Sequence, residues 1–356
     1  MKSIRDIYNN ICSFENLFTA YQKARRGKRY LYYTVQFDSH LEENLLELSD
    51  ELKTQTYHPG KYRTFWIQEP KPRLISAAPF RDRIVHHAMI DVIEPLIDNS
   101  FIEDSFACRR GRGTHAAIDR CQHYLRRFPW VLKCDIRKYF PSIDHDILFS
   151  LIKRTIREPR TLWLTSVILK TSNEQETVKM WFPGDDLLTP IERRKGLPIG
   201  NLTSQFFANM YLDGLDHFIK QELKCKGYVR YMDDFILFGQ SKECMWEWKM
   251  NIINYLARLR LKLHPKKQEI LPSRNGIPFL GFTLYTNKRR LSKGNIRSFK
   301  QRSQSQVREL EDGRISISEF NNSLISWIGH ASHGDTWRLR GKLFHGMVIH
   351  PYRSHR

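Results

Sequence analysis

The sequence has 356 residues, of which 41% are apolar and 27% charged, and this balance favours a globular protein with a substantial core over a disordered chain. The net charge of +20 indicates a polyanionic partner such as nucleic acid, and residues 258–356 hold 20 Lys or Arg against six Asp or Glu. The six cysteines form no C-x-x-C pair and no apolar run reaches about 18 residues, so we expect reduced thiols, a cytoplasmic location, no signal peptide and no membrane span.

The N-terminal third of the chain alternates between helical and strand-like patterns. Leucines near a 3.6-residue period predict a helical extension over residues 1–54, which ends before Tyr57-His58-Pro59-Gly60. Residues 62–67 alternate in polarity, a Pro-containing turn follows, and residues 73–75 resume the pattern, which predicts a hairpin. A helix is expected from about Arg81 to Ile97.

The middle of the chain supplies the acidic residues of interest. The apolar run from Trp130 to Ile136 predicts a buried strand that carries Asp135 at its end. A helix should begin at Ser142 or Asp144, and residues 172–196, broken by prolines and glycines, predict a loop insertion.

The C-terminal half begins with a long amphipathic pattern. It predicts a helix over residues 202–223, followed by two strands around an acidic pair in residues 229–238. Residues 277–285 predict a further hairpin, and from about Lys288 onward the chain is basic and expected to be helical.

The strongest local signal is Tyr231-Met232-Asp233-Asp234 between two apolar segments. Two adjacent acids in a tight turn are costly unless a cation neutralises them. Phosphoryl transfer to a 3′ hydroxyl uses two Mg²⁺ ions, which prefer carboxylate oxygens. We therefore expect Asp135, Asp233 and Asp234 to be catalytic, and a two-ion Mg²⁺ site, with Mn²⁺ as an alternative, formed by Asp135, Ile136, Asp233 and Asp234.

Two motifs together resemble a known enzyme family. The stretch from Asp135 to Asp144 (DIRKYFPSID) resembles the first catalytic motif of reverse transcriptases, and Tyr-Met-Asp-Asp resembles their second. The resemblance covers about residues 55–285. It implies an α+β right-hand polymerase fold, with fingers (55–130), a palm of antiparallel strands with helices on one face (131–285), and a basic helical thumb and tail (286–356).

The same resemblance implies roles for several residues outside the acidic set. Phe140 matches the position that packs under the sugar and excludes a 2′ hydroxyl, although ordinary core packing remains an alternative. Basic residues match positions that contact the triphosphate, although a surface charge remains the alternative for each lysine. The nucleotide-binding set is Lys71, Arg73, Phe140, Ile199, Gly200, Gln205 and Lys266, with Lys267 as an alternative to Lys266.

The excess of basic residues in the C-terminal region independently predicts where nucleic acid is gripped. The residues expected to form this grip are Lys288, Arg289, Arg290 and Lys293.

Two other acidic pairs are interpreted as structural. Gly184-Asp185-Asp186 looks like a polymerase signature, but it lies between prolines without flanking apolar strands, which favours a solvated loop. Asp144 and Asp146 flank a helix start, where capping explains an acid without catalysis.

The stretch from Gly196 to Gln205 narrows the resemblance. It carries Ile199 where group II intron and retroviral enzymes usually have Gln, and Ser204-Gln205 where they have Ser-Pro. This version resembles the reverse transcriptases of diversity-generating retroelements. That resemblance implies copying of a template-repeat RNA into cDNA from a primer and dNTPs, with errors mainly at adenines, after which the cDNA replaces a variable repeat and so diversifies a target gene. It also implies a small, basic, oligomeric accessory protein that binds the polymerase.

Two other functions remain open. One is a retron or antiphage-defence reverse transcriptase, and the other is a silent RNA-binding scaffold.

Overall fold

The computed structural model describes residue 4, residues 6–68, residues 72–172, residue 176 and residues 178–345. The chain begins with four helices, as the leucine pattern predicts. These helices are α1 (Tyr8–Cys12), α2 (Phe14–Arg25), α3 (Tyr32–Asp38) and α4 (Leu41–Thr54). Ser13 caps α2 by accepting from Asn16 N, and Gln55 ends α4 in a left-handed conformation.

The predicted hairpin and the helix after it are confirmed. Strands β1 (Arg63–Ile67) and β2 (Arg73–Ala77) pair antiparallel, with Ile67 opposite Arg73. Helix α5 (Phe80–Asp98) buries a long apolar face against α2, and α6 (Thr114–Leu125) follows.

A four-stranded antiparallel sheet forms the centre of the protein. Its strands are β3 (Trp130–Ile136), β4 (Gly227–Tyr231), β5 (Asp234–Gly239) and β6 (Leu263–Pro272), in the order β4-β5-β3-β6. The chain between β3 and β4 forms α7 (Tyr139–Ser142), α8 (His145–Thr155), α9 (Pro159–Lys170), α10 (Thr189–Glu192) and α11 (Leu202–His217). A π-helical turn (Phe218–Glu222) continues α11, and α12 (Lys242–Arg258) separates β5 from β6.

The sheet is covered on both faces, whereas the sequence predicted helices on one face only. Successive strand residues point to opposite sides, so Leu132 packs in a core cluster with α11 and α12. Val131 instead packs in a second cluster with α6 and the C-terminal elements. The single-face prediction was wrong, because the central strands are buried on both sides. Near-continuous apolar runs are typical of such strands.

The C-terminal region begins with a small sheet. Strands β7 (Ile277–Phe279) and β8 (Phe282–Leu284) form the predicted hairpin, and β9 (Arg289–Leu291) adds a third strand. The helices α13 (Lys293–Glu311), α14 (Ile317–Ala331) and α15 (Trp337–Phe344) follow. The expectation of a helix from Lys288 was therefore wrong over β9 and right from Lys293.

The remaining sequence expectations concern cysteines and membranes. The cysteines are free thiols, and no described helix has the length and apolarity needed to cross a membrane.

Candidate active site

The central sheet brings the acids of both motifs to one edge. Asp135, near the end of β3, lies directly opposite Asp234, the first residue of β5. Side chains at such paired positions have Cβ atoms about 4.5–5.5 Å apart. Asp233 lies in the turn before β5, and its carbonyl accepts a hydrogen bond from Ile136 N at 3.1 Å. Asp135 and Asp233, which are 98 positions apart in sequence, are thereby neighbours.

The turn that carries Asp233 is tight and is held by a hydrogen bond from a buried arginine. Met232 has φ of 59°, a left-handed conformation that is uncommon for a residue with a side chain. Its carbonyl accepts from Arg230 Nη1 at 3.2 Å. Arg230 is fully buried and pairs with the fully buried Asp216 through two nitrogens. This buried pair connects the turn to α11.

Burial and mutual repulsion shape the protonation of the turn acids. Burial first, and then the charge of Asp135, raise the pKa of Asp233 to about 6. Burial likewise raises the pKa of Asp234 to about 6, with the charge of Lys133 acting in the opposite direction. Both acids therefore favour a cation beside them at neutral pH.

Two lysines supply positive charge at these acids. Lys267 Nζ lies 2.7 Å from Asp135 Oδ2, and Lys133 Nζ lies 3.4 Å from Asp234 Oδ2. In the part of the chain that the structure describes, no three Asp, Glu, His or Cys side chains form a ready metal cluster. The donor chemistry nevertheless fits a hard divalent cation. Asp135 lies opposite Asp234, its charge raises the pKa of both Asp233 and Asp234, and Asp234 Oδ1 is buried without a hydrogen-bond partner.

The segment containing Ile199 and Gly200 lies between the first catalytic motif and β2. Leu197 N donates to Phe140 O at 2.9 Å, and Ser76 N donates to Ile199 O at 3.0 Å. Gly200 has φ of +113°, and a Cβ there would lie 3.1 Å from Ile75 Cγ2, so a larger residue would be strained. Backbone hydrogen bonds therefore join three segments that carry predicted nucleotide-binding residues: the one with Phe140, the one with Ile199 and Gly200, and β2 with Arg73.

The individual nucleotide-binding candidates differ in their surroundings. Phe140 and Ile199 are half-buried, and Arg73 is exposed on β2, with its charge opposing the raised pKa of Asp233. Gln205 Oε1 accepts a weak hydrogen bond from Cys108 Sγ at 3.5 Å. Lys71 lies outside the described residues.

Of the two lysines in the later basic motif, Lys267 and not Lys266 contacts an acid of the site. Lys266 is exposed, and its backbone N donates to His264 Nδ1 at 3.2 Å. Adjacent strand residues point to opposite faces, so a shift of one position decides which lysine reaches Asp135.

The four residues of the expected nucleic-acid grip are not equivalent. Lys288 and Arg290 lie over the Tyr285 ring, at 5.4 and 5.8 Å from its centre, and Lys293 is exposed at the start of α13. Arg289 is instead bound within the protein. Its side chain pairs with Asp119 at 2.6 Å and donates to Gln122 Oε1 at 2.8 Å, which fastens β9 to α6.

The two other acidic pairs have structural partners. Asp144 caps α8, as expected, by accepting from Asp146 N and Ile147 N at 3.1 Å each. Asp185 was expected to be solvated, but its side chain is only 5% exposed because it pairs with Arg193. Asp186 is exposed and accepts from Leu188 N and Thr189 N in a local turn.

Sequence reasoning missed two residues around the acids, Lys133 and Arg230. Each is a basic residue inside an otherwise apolar strand, and a buried charge must be paired. A basic residue within such a strand indicates that an acidic partner exists, but it does not identify Asp234 as the partner of Lys133 or Asp216 as the partner of Arg230.

Comparison of the sequence with known proteins shows which family the chain belongs to. The family described as Reverse transcriptase (RNA-dependent DNA polymerase) matches residues 66–284. Protein YkfC of Escherichia coli (strain K12) is 24% identical over 285 residues, covering 68% of this chain and 71% of YkfC. Group II intron-encoded protein LtrA of Lactococcus lactis subsp. cremoris is 24% identical over 348 residues, covering 78% of this chain and 55% of LtrA.

A third relative, Putative COX1/OXI3 intron 2 protein of Saccharomyces cerevisiae, is 24% identical over 309 residues, which cover 67% of this chain and 34% of that protein. The chain thus spans about half of LtrA and about a third of the yeast protein. The family match includes Asp135, Asp233 and Asp234 and covers more than half of the chain. It confirms the predicted enzyme class, an RNA-directed DNA polymerase. The chain belongs to the reverse transcriptase family.

Proposed function

We propose that this chain copies an RNA template into DNA at a site formed by Asp135, Asp233 and Asp234. The observation that carries the proposal is the strand register, which sets Asp135 opposite Asp234 with Asp233 in the adjoining turn. These carboxylates, together with the backbone of Ile136, would hold Mg²⁺ or Mn²⁺, which would supply activation of the attacking 3′ hydroxyl and neutralisation of charge on the leaving pyrophosphate. The protein's own contribution is to hold the carboxylates in position and to supply nearby lysines.

A right-hand arrangement fits this proposal. The β1–β2 hairpin and α5 would belong to the fingers, the central sheet to the palm, and α13 to α15 to the thumb. The hairpin's link to the site supports this division, because β2 carries Arg73 and donates from Ser76 N to Ile199 O. An incoming triphosphate would then lie between Arg73 and the acids, with Phe140 beneath the sugar. Lys288, Arg290 and Lys293 would contact the nucleic-acid backbone.

RNA-templated primer extension tests the proposed function. The purified chain, given an RNA template, a DNA primer, dNTPs and Mg²⁺, should make full-length cDNA, and EDTA should stop it. The alternative of an RNA-binding scaffold predicts RNA binding without extension. Binding with no cDNA under Mg²⁺ or Mn²⁺ would therefore contradict the polymerase function.

We also propose that the biological reaction is the mutagenic copying of a template-repeat RNA in a diversity-generating retroelement. Ile199 and Gln205 support this choice over a group II intron or retroviral type of enzyme, because both depart from the pattern that is usual in those enzymes. The structure places Ile199 beside β2, half-buried, and its side chain offers no hydrogen bond. The same proposal implies a small, basic, oligomeric accessory protein as a partner.

Ile199→Gln should lower misincorporation opposite template adenine more than opposite other bases. A polar contact that separates aligned from misaligned pairs is worth about 1–3 kcal/mol, or roughly 5- to 150-fold in discrimination. The Ile199 backbone is held by Ser76, so the substitution changes the side chain without removing that link. Sequencing of cDNA made by both proteins on one RNA measures the effect. Leu202→Met, at the first residue of α11, is a matched control. An unchanged error rate opposite adenine, in an Ile199→Gln variant that is still active, would show that Ile199 does not contribute to the misincorporation.

A further inference from the structure

The carboxylate of Asp144 does more than cap a helix. Its side chain is 2% exposed, and its two oxygens have separate partners. Oδ1 accepts the two backbone N–H groups at the start of α8. Oδ2 accepts from Arg260 Nη1 at 2.6 Å and lies 3.9 Å from Arg193 Nε. Capping uses only the first oxygen and asparagine caps as well as aspartate, so capping leaves the buried charge unexplained.

Arg193 connects this carboxylate to the segment that holds Ile199. Arg193 itself is held by Asp185 from the preceding loop. Two residues later, the backbone of Lys195 forms an isolated antiparallel β-bridge with the backbone of Asp144. Gly196 N donates to Ile143 O at 2.8 Å. The chain then continues directly into Leu197 and Gly200. The position of this segment is therefore fixed against the first catalytic motif close to Asp144.

Arg260 connects the same carboxylate to the strand that carries Lys267. It lies in the turn between α12 and β6, with φ of 53°. Two residues after Arg260, Lys262 O accepts a hydrogen bond from Arg137 N at 2.9 Å. Arg137 itself lies two residues after Asp135. Strand β6 then brings Lys267 to Asp135. One buried charge thus meets guanidinium groups from both segments that flank the first catalytic motif.

We propose that Asp144 is a positioning residue for the incoming nucleotide, which acts by fixing the Gly196–Gly200 segment and the turn into β6 relative to Asp135. This inference rests on the proposed function. A buried carboxylate that faces two arginines is costly unless both geometry and pairing are maintained, so its loss should displace the elements that it joins. Asp144 itself does not touch the substrate, and its effect should appear as weaker nucleotide binding.

The test is Asp144→Asn, which keeps an oxygen for the α8 cap and removes only the charge. We expect KM for dNTP to rise by about tenfold, with kcat and template RNA affinity changed by less than about threefold. Asp146→Asn is the matched control, because Asp146 is exposed at the first turn of the same helix; it should leave KM unchanged. Arg260→Gln should raise KM similarly, and the double variant should not add to either single change.

A purely structural role gives a different pattern. In that case Asp144→Asn lowers the melting temperature and the active fraction, while KM for dNTP measured per active site stays at the wild-type value. That result overturns the inference. If Asp233→Asn abolishes extension in the same assay, the proposed function stands even when the inference about Asp144 fails; if extension survives Asp233→Asn, the proposed function itself has failed.

Discussion

Asp233→Asn is expected to reduce RNA-templated extension to below about 1% of wild type while template RNA binding is kept. An amide oxygen cannot supply the negative charge that offsets divalent cations at a partly buried site. Single-turnover primer extension and a filter-binding assay measure the two properties separately. Asp186→Asn is the matched control, because Asp186 belongs to the other Asp-Asp pair and is exposed. Extension by Asp233→Asn well above this level would remove Asp233 from catalysis.

The same substitution should stabilise the protein when metal is absent. The folded pKa of Asp233 is raised to about 6, so the ionised form is disfavoured in the fold by burial and by Asp135. A carboxyl with a raised folded pKa loses stabilising effect as pH rises through that value. With EDTA, Asp233→Asn should therefore melt at a higher temperature than wild type at pH 7. The difference should shrink toward pH 5, and an equal difference at both pH values would contradict this electrostatic account.

Arg230→Met should lower the free energy of unfolding by about 3–5 kcal/mol, because it leaves Asp216 charged and unpaired in the core. Arg230 and Asp216 are both fully buried, and their closest contact is 2.5 Å. The Met232 carbonyl also loses its donor, so extension should fall as the turn with Asp233 loosens. Urea denaturation and primer extension measure these effects.

An exposed ion pair provides the control for Arg230. Arg314 pairs with Asp312 at the end of α13, and both side chains are more than half exposed. Arg314→Met should change the free energy of unfolding by only about 0–1 kcal/mol. Adding Asp216→Asn to Arg230→Met should recover part of the lost stability, because the unpaired charge disappears. No recovery would mean that the loss comes from packing rather than charge.

The parts of the fold that the sequence predicted well rest on local patterns. Strand β3 and the strands on either side of Met232 and Asp233 are short, almost continuous apolar runs, and α11 carries an apolar stripe. Such patterns identify an element without its partners. The candidate catalytic acids could be identified from the sequence because Asp135 lies near the end of β3 and Asp234 begins β5.

The parts that the sequence did not predict depend on contacts between distant segments. Strand β9 has only three residues, and a basic segment of that length carries no period. The partner of its Arg289 is Asp119 of α6, and this contact depends on how α6 packs against β9. The choice between Lys266 and Lys267 depends on strand register, and the pairing of Asp185 with Arg193 depends on how the loop closes. None of these features leaves a local signature.

The most direct test of the central claim is the anomalous density of Mn²⁺ in a crystal of the chain bound to an RNA template, a DNA primer and a non-reactive dNTP analogue. The account predicts manganese coordinated by Asp135 and Asp233, with Lys267 displaced from its present contact with Asp135 Oδ2. Asp233→Asn crystals should lose this density while the nucleic acid stays bound. Manganese bound elsewhere, with the Lys267–Asp135 ion pair intact in a complex that holds the primer end and the analogue, would contradict the assignment of these acids as the catalytic site.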